Sequence, residues 1–319
     1  MPIASARNYL QSLGSKPVML VIHTMADLDA LCAAYLIYRY LANASIVACD
    51  HLNTEAKLFS EHLGLKILSA YQVDFKNFEA VIALDASSRE MLPNLTEEID
   101  LVIDHHQPPS DPIKARRHCV QIVPSATELV CEILKPIWKP DVKMLEAALV
   151  AILSDTSFFK TSSSRTFGYC SEILAHLEKE GRDYHEISSF ANSYLDDSQK
   201  IGVAKSLGLL KYKMIGDTII CSSTAGLYES HVASGLIEIG MDVAFVAKGL
   251  PPSEGGGCKV SARANALTNL DMAKLMGKLG VFLNGAGGGH SKAAGATCKA
   301  TPEDAVKKCV ELATKELEK

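Results

Sequence analysis

Histidine and aspartate residues recur in four short clusters whose side chains are typical ligands of divalent cations. The clusters are VIHTMADLDA with His23, Asp27 and Asp29, VIALDAS with Asp85, IDHH with Asp104, His105 and His106, and AILSDTSFF with Asp155. A site that combines imidazoles with several carboxylates and lacks thiolates suits a hard to borderline cation. The sequence therefore indicates a metal centre, with Mn²⁺ favoured, Mg²⁺, Fe²⁺ or Co²⁺ as alternatives, and zinc still open.

The elements before these clusters are predicted to bring them together. Each of the first three clusters follows an apolar, β-branched run, which predicts a buried parallel strand with polar side chains at its carboxyl end. That edge is where open α/β sheets bind their ligands. The strand candidates are 18–23, 45–49, 78–84, 99–103 and 118–122. Asp155 instead ends a run with helical spacing of apolar residues, so we expect it at the end of a helix.

The chemistry that such a site would perform is two-metal hydrolysis. Asp85 is suited to bridge two ions at the separation of about 3.5–4 Å found in phosphatases and nucleases. Paired ions acidify a water molecule, so that no side-chain nucleophile is needed. Each cluster alone has an ordinary explanation, such as a helix N-cap at Asp29 or a turn at the Asp-His pair. Their joint occurrence at the ends of three strands and at Asp155 favours one metal site.

The C-terminal third is predicted to form a smaller α/β unit with a substrate-binding role. Strands are expected over 217–222, 241–247 and 258–262, and helices over 227–239, 270–279 and 302–318, the last capped by Thr301. Arg263 ends a strand, where it could bind a phosphate or simply be exposed. The glycines before His290, which are Gly287, Gly288 and Gly289, could form a flexible turn or let backbone N–H groups approach a phosphate at a helix N-terminus. Gly255–Gly257 are expected at a hairpin tip without a role.

Composition limits the class of protein. The chain has 319 residues, 48% of them apolar, which favours two domains. No apolar run approaches the ~20 residues of a membrane span, and no signal peptide is evident. The nine cysteines are scattered singly, which predicts buried free thiols in a reducing compartment, most simply the cytoplasm. The formal charge of −5 argues against a protein that coats long nucleic acid.

The ordered motifs H-x-x-x-D-x-D, LDAS, IDHH, SDTSFF, VSARAN and GGGHSKAAG resemble the DHH phosphoesterase family with its DHH-associated C-terminal domain. Within that RecJ-like superfamily the chain looks most like the nanoRNase and pAp-phosphatase branch, which also resembles cyclic-dinucleotide phosphodiesterases. The resemblance implies a parallel-sheet catalytic domain over 1–195, a helical linker over 196–210, and a smaller α/β substrate-binding domain over 211–319, across a cleft.

The resemblance also implies a role for each site residue. One Mn²⁺ would be held by His23, Asp27 and Asp85, and the second by Asp29, Asp85, His105 and Asp155. His106 would contact the scissile phosphate, and Asp104 would orient the histidine pair. Arg263, His290 and the glycines before it would bind substrate. Three positions depart from the family pattern: Met25-Ala26 stand for Asn-Pro, Leu31-Cys32 for Gly-Ser, and Asn265 for the serine that commonly follows the arginine motif.

The function expected from these residues is hydrolysis of phosphate mono- or diesters of short nucleotides, such as short oligonucleotides, pAp, or linear and cyclic dinucleotides. Inorganic pyrophosphatase or exopolyphosphatase activity, a RecJ-like single-strand exonuclease, and a non-enzymatic nucleotide-sensing protein are the alternatives. No stable complex with long nucleic acid and no membrane association are expected. The oligomeric state stays open, with a homodimer as one option.

Overall fold

The structure, a computed structural model, describes residues 1–95, 97–109, 111–192 and 197–318. Contacts divide the chain into two units, Met1–Tyr194 and Leu195–Lys319. The helix that occupies most of the predicted 196–210 linker packs against a strand and a helix of the second unit. The domain bounds inferred from the sequence stay a prediction, and residue 196 lies outside the described residues.

The first unit contains a six-stranded parallel sheet. Its strands are β1 Val18–Ile22, β2 Ala44–Ala48, β3 Leu68–Ser69, β4 Ala80–Leu84, β5 Leu101–Asp104 and β6 His118–Val120. They lie in the order β3-β2-β1-β4-β5-β6, and each neighbouring pair is parallel. The strand order reverses between β1 and β4, and in such sheets the crevice beyond the carboxyl ends at this switch point binds ligands. His23 and Asp85 are the first residues after β1 and β4.

The two faces of this sheet are covered differently. The helices are α1 Ile3–Leu13, α2 Leu28–Tyr40, α3 Thr54–Leu63, α4 Ala126–Leu134, α5 Val142–Asp155, α6 Ser164–Lys179 and α7 Tyr184–Ser189. One face, including Leu20 and Ile103, packs into a large core formed with these helices. On the opposite face, Val21 and Val102 pack against residues that come from loops and two short 3₁₀ turns. The second face therefore has a thinner cover.

The second unit contains a mixed six-stranded sheet. Its strands are β7 Lys211–Ile215, β8 Thr218–Ala225, β9 Val243–Gly249, β10 Cys258–Ala264, β11 Ala286–Gly289 and β12 Ala293–Cys298. They lie in the order β11-β12-β10-β9-β8-β7, where β8 and β9 are parallel and the other pairs antiparallel. The helices are α8 Asp197–Gly208, α9 Glu229–Glu238, α10 Met272–Phe282 and α11 Pro302–Leu317. Thr301 caps α11, as predicted, because its Oγ1 accepts from Asp304 N at 3.2 Å.

The glycine run before His290 does not precede a helix, and the expectation of a helix N-terminus there is wrong. Gly287, Gly288 and Gly289 belong to β11, an edge strand joined to β12 by a tight hairpin. Their lack of side chains suits the packing against α10. A Cβ on Gly287 would lie 2.2 Å from the backbone oxygen of Met276, whereas a Cβ on Gly288 would meet no heavy atom within 4 Å. Close packing thus accounts for the glycine at 287.

Gly287→Ala should therefore destabilise the protein while Gly288→Ala should not. The added methyl group at 287 would force β11 and α10 apart, and overpacking of this kind costs about 1–3 kcal/mol. Calorimetric melting should show a transition several degrees lower for Gly287→Ala than for the wild type. Gly288→Ala is the matched control at the next residue of the same strand. Equal melting of the two variants would contradict the packing argument.

Two predictions from composition can be compared directly with the structure. All nine cysteines are buried free thiols, as predicted. Within the described ranges, no helix has both the length and the apolar character needed to cross a bilayer.

Gly255–Gly257 lie in the connection between the antiparallel strands β9 and β10, which confirms the predicted hairpin tip.

Candidate metal centre

His23, Asp27 and Asp85 form the first group of candidate ligands. Their ligand atoms all lie within 4.8 Å of one another, and His23 Nε2 is 3.7 Å from Asp85 Oδ2. Asp27 is the N-cap of α2, where its Oδ1 accepts from the backbone N–H groups of Asp29 and Ala30 at 3.0 and 3.1 Å. Capping fixes this carboxylate and leaves Oδ2 for a cation.

Asp29, His105 and Asp155 form the second group. Their ligand atoms also lie within 4.8 Å of one another, with His105 Nε2 at 3.5 Å from Asp155 Oδ2 and 3.8 Å from Asp29 Oδ2. Asp85 adjoins this group too, because its Oδ1 is 3.4 Å from His105 Nε2. One oxygen of Asp85 thus faces each histidine, which is the arrangement expected of a bridging carboxylate.

Backbone carbonyls orient both histidines. The Nδ1 atoms of His23 and His105 lie 2.8 Å from Thr24 O and 2.9 Å from Val123 O. Because a carbonyl can only accept, Nδ1 carries a proton in each ring, and Nε2 is the ring atom that faces the carboxylates. Histidine ligands of metals are commonly held in this way, with the distal N–H donated to a carbonyl or carboxylate.

Asp29 is bound by the first turn of α4, a contact that the sequence did not reveal. Its Oδ2 accepts from Ala126 N at 2.6 Å and its Oδ1 from Thr127 N at 2.9 Å, and the residue is 1% exposed. Ser125 is the N-cap of α4, with Glu128 three residues later. That S-x-x-E spacing is a signature of a helix start. It could have indicated a helix N-terminus, which attracts carboxylates, just beyond the last strand.

The backbone is strained where Asp85 enters the site. Asp85 has φ of 52°, and its N–H donates to Ile103 O at 2.9 Å. Ser157, Phe158 and Phe159, which follow Asp155 closely, also have positive φ values of 47°, 55° and 68°. Left-handed backbone costs non-glycine residues roughly 1–2 kcal/mol each. Such strain concentrates at functional sites, where surrounding contacts hold it in place.

His106 differs from His105 in its surroundings. Its Nδ1 donates to Asp104 Oδ1 at 2.9 Å, and its side chain is 47% exposed, whereas that of His105 is 11% exposed. Asp104 is buried and also accepts from His106 N at 3.3 Å. The resemblance implies that Asp104 orients both histidines. In the structure it orients His106, while Val123 O orients His105.

Crowding of the carboxylates shifts the pKa values at this site. Burial, together with the negative charges of Asp85 and Asp155, raises the pKa of Asp29 well above its usual range. Burial and the charges of Asp85 and Asp27 also raise the pKa of Asp155, to about 6. Burial opposes protonation of His105, but the nearby carboxylates of Asp85 and Asp29 outweigh it and raise the pKa of His105 to about 10. His105 and His23 in turn lower the pKa of Asp85, although burial of this carboxylate opposes the shift. The cluster therefore attracts positive charge.

The donor set fits a divalent cation. Asp85 Oδ1 and His105 Nε2 are buried and have no hydrogen-bond partner within the described parts of the chain. Buried polar atoms without a partner are costly, so they call for a ligand. A cation would engage both atoms and neutralise the carboxylates around them. Oxygen-rich coordination with imidazole is compatible with Mn²⁺ and its neighbours in the first transition series.

The proposed substrate residues of the second unit lie in one row across its sheet. Arg263 pairs with Ala293 in the β10–β12 register, and Ala293 in turn exchanges backbone hydrogen bonds with His290. Arg263 Nε donates to Ser234 Oγ at 3.2 Å, and His290 is exposed. Lys292 Nζ donates to Thr268 O. Lys292 thus holds the loop that contains Thr268.

Asn265, the residue that departs from the family pattern, organises the same loop. Its Nδ2 donates to Asp242 Oδ1 at 2.7 Å, and its Oδ1 accepts from Leu267 N and Thr268 N at 3.0 and 2.9 Å. These bonds form an Asx-type turn directly after the arginine strand. Asn265 therefore holds this loop through three hydrogen bonds, although it differs from the serine of the family pattern.

Comparison with known proteins identifies the family. Residues 17–152 match the DHH family N-terminal domain, and residues 231–319 match the DHHA1 domain. An uncharacterised protein of Methanocaldococcus jannaschii is 25% identical over 297 residues, which cover 90% of this chain and 88% of that protein. A second uncharacterised protein of the same organism is 25% identical over 154 residues, 47% of this chain and 32% of that protein. An exopolyphosphatase-related protein from Bacteroides fragilis has a similar fold, with a TM-score of 0.68 and 17% identity over 99% of this chain and 98% of that one.

A parallel sheet that ends in histidine and aspartate clusters, followed by a mixed-sheet unit, defines the class of DHH phosphoesterases with a DHHA1 domain. The chain belongs to this DHH/DHHA1 family. Proteins of the family are metal-dependent, and their fold is that of phosphoester hydrolases.

Proposed function

We propose that the protein is a two-metal hydrolase of phosphate mono- or diesters in short nucleotides. The observation that carries this proposal is the position of Asp85, which adjoins both candidate ligand groups through different oxygens. A carboxylate placed in this way is suited to bridge two ions. We place the protein in the cytoplasm, in keeping with its buried free thiols.

The proposed ligands follow the two groups. His23, Asp27 and Asp85 would hold one ion, and Asp29, Asp85, His105 and Asp155 the other. Bound divalent ions would supply Lewis acidity, which acidifies a water molecule and offsets charge on the phosphate oxygens. The residues of the chain position these groups: Asp27 is fixed as a helix cap, Asp29 by the α4 amides, and His105 by Val123 O.

His106 is proposed to stabilise the phosphate during the reaction. Its Nδ1 proton is committed to Asp104, so Nε2 is the atom that can meet a substrate. The hydrogen bond to Asp104 raises the pKa of His106, although burial opposes this. A protonated Nε2 can donate a charge-assisted hydrogen bond to a phosphate oxygen. Asp104 acts by holding the ring in place.

A turnover panel with added Mn²⁺ tests the proposal. The substrates are pAp, a linear dinucleotide, a cyclic dinucleotide, pyrophosphate and a long single strand, with product release measured for each. Hydrolysis of one or more of the short nucleotides, abolished by a chelator, is the expected result. Preferential turnover of pyrophosphate or of the long strand would support the alternative activities instead. No turnover of any substrate, with metal bound, would leave the nucleotide-sensing alternative.

The second unit is proposed to bind a phosphate remote from the reacting one, through Arg263 and His290. Replacing either by alanine should impair turnover of a dinucleotide or pAp much more than turnover of a small activated aryl phosphodiester. A lost charge-assisted contact is worth roughly 1.5–3 kcal/mol, about ten- to a hundredfold in kcat/KM. Because remote binding also positions the reacting group, the loss can appear in kcat as well as KM.

Lys211→Ala is the matched control, since Lys211 lies on β7 at the opposite edge of the same sheet. Lys211→Ala should leave the turnover of both substrates unchanged. Equal losses on both substrates in the Arg263 and His290 variants would mean that these residues support the fold or the metal centre.

A further inference from the structure

A cavity of about 640 Å³ lies beside the metal centre on the loop-covered face of the first sheet. Its floor consists of two rows of paired residues from the last two strands. Val102 pairs with His118, and Asp104 pairs with Val120. These positions share one face because alternate residues of a strand point to the same side. None of the metal-binding roles proposed above uses this cavity.

The opposite wall comes from the described residues between 107 and 115. Pro108, Pro109 and Pro112 line it, together with Ile113. Ile113 is 2% exposed, and its N–H donates to Ser87 O at 3.2 Å, which ties this wall to the residues after β4. The cavity therefore has a fixed floor and an anchored wall that is rich in flat, nonpolar proline rings.

The cavity and the metal centre share residues. Asp104 lines the cavity and also holds His106. Ala86 and Ser87 line it as well, and they directly follow Asp85. A molecule in this cavity would contact Ala86, which directly follows the candidate bridging carboxylate, and Asp104, which is hydrogen-bonded to His106.

The chemistry of the lining selects a flat molecule with nonpolar faces and polar edges. The volume lies within the roughly 300–1,000 Å³ typical of small-molecule sites. Val102, Val120 and the prolines provide apolar surfaces. Asp104 is 2% exposed and supplies a carboxylate to the floor, and Asp111, Lys114 and His118 add further polar groups to the lining. A sugar or a phosphate alone would leave the apolar walls unused, and an alkyl chain would leave the polar groups of the lining without a ligand partner.

We infer that this cavity binds a nucleobase of the substrate, the one attached to the nucleotide whose phosphate lies at the metal centre. The inference rests on the proposed function and extends it by assigning base recognition to the first unit. Amino and ring N–H groups of the base would donate to Asp104, and its faces would pack between the valines and the prolines. His106 and the base would then be positioned by the same carboxylate.

Two cavity-filling substitutions test the inference in the full chain. Val120→Trp fills the cavity from the floor, and Ala115→Phe fills it from the loop side. If one of the two variants fails to fold, the other still tests the inference. Ile122→Trp is the matched control, because Ile122 is 66% exposed two residues beyond Val120 and does not line the cavity. Binding of adenosine, which lacks a phosphate, is measured by calorimetry. Turnover is measured with a dinucleotide and with its abasic analogue.

Adenosine should bind the wild type and Ile122→Trp equally, and the filled variants at least about tenfold more weakly, which corresponds to about 1.4 kcal/mol. The filled variants should lose a similar factor in kcat/KM on the dinucleotide and keep their turnover of the abasic analogue. Unchanged adenosine binding, or equal losses on both substrates, would overturn the inference. A wild type that binds adenosine in this cavity but cleaves neither substrate would retain the base site and remove the proposed function.

Discussion

Asp85→Ala should reduce turnover by at least about a thousandfold, the largest effect expected of any single substitution in the site. The residue adjoins both candidate ligand groups, so its loss would leave both ions poorly held. Metal content measured by mass spectrometry should fall together with activity. Asp85→Asn separates charge from backbone conformation, because asparagine tolerates the left-handed φ of 52° at this position. It should lose metal as the alanine variant does.

Asp50→Ala is the matched control for Asp85. Asp50 follows β2 at the same edge of the sheet, but its partners are Thr24 and His51 rather than the cluster. Its replacement should leave metal content and turnover close to the wild-type values. Full turnover by the Asp85 variants at saturating metal would contradict the bridging role.

His105→Ala and His106→Ala should differ in their effect on metal binding. His105 presents a buried Nε2 to three carboxylates, so its loss should lower metal content and turnover together. His106 is hydrogen-bonded to Asp104 and about half exposed, and it belongs to neither proposed ligand set, so its loss should leave the metals in place. Turnover by His106→Ala should still fall by about a hundred- to a thousandfold, the usual effect of removing one group that stabilises transition-state charge.

The two histidine variants are compared by metal content at equal protein concentration and by kcat at saturating metal. His51→Ala, an exposed histidine after β2, controls for the loss of an imidazole at the sheet edge. Equal metal depletion in the His105 and His106 variants would show that the proposed division of roles is wrong.

The first unit was largely predictable because its strands are buried on both faces. Such strands are nearly continuous apolar runs, so the ends of β1, β4 and β5 could be placed within about two residues. The candidate ligands that follow these strands could therefore be identified from the sequence. The strands that escaped prediction lack this signal. β3 has two residues and β7 is mostly exposed. β11 and β12 consist mainly of alanine and glycine, which have low strand propensity, and they form strands by pairing with each other and with β10.

Contacts between distant parts of the chain limited how much of the site could be predicted from the sequence. Asp29 and Ala126 are 97 residues apart in sequence, and nothing near Asp29 indicates that α4 amides bind it. The same is true of Val123 O, which fixes His105, and of the cavity between the ends of β5 and β6 and the segment that follows His106. Residue types and local spacing predict which groups meet at a strand edge. They do not predict which backbone groups hold them.

The two backbone hydrogen bonds of Asp29 matter for the design of an inactive protein that still captures its ligand. Replacing Asp29 would leave two buried N–H groups of α4 unpaired, so the variant would combine a catalytic defect with a weakened fold. Asp155 is the last residue of α5 and has 28% of its side chain accessible, so it can be changed with less disturbance. A substrate-trapping variant is therefore better made at Asp155, where loss of chemistry and loss of folding are separable.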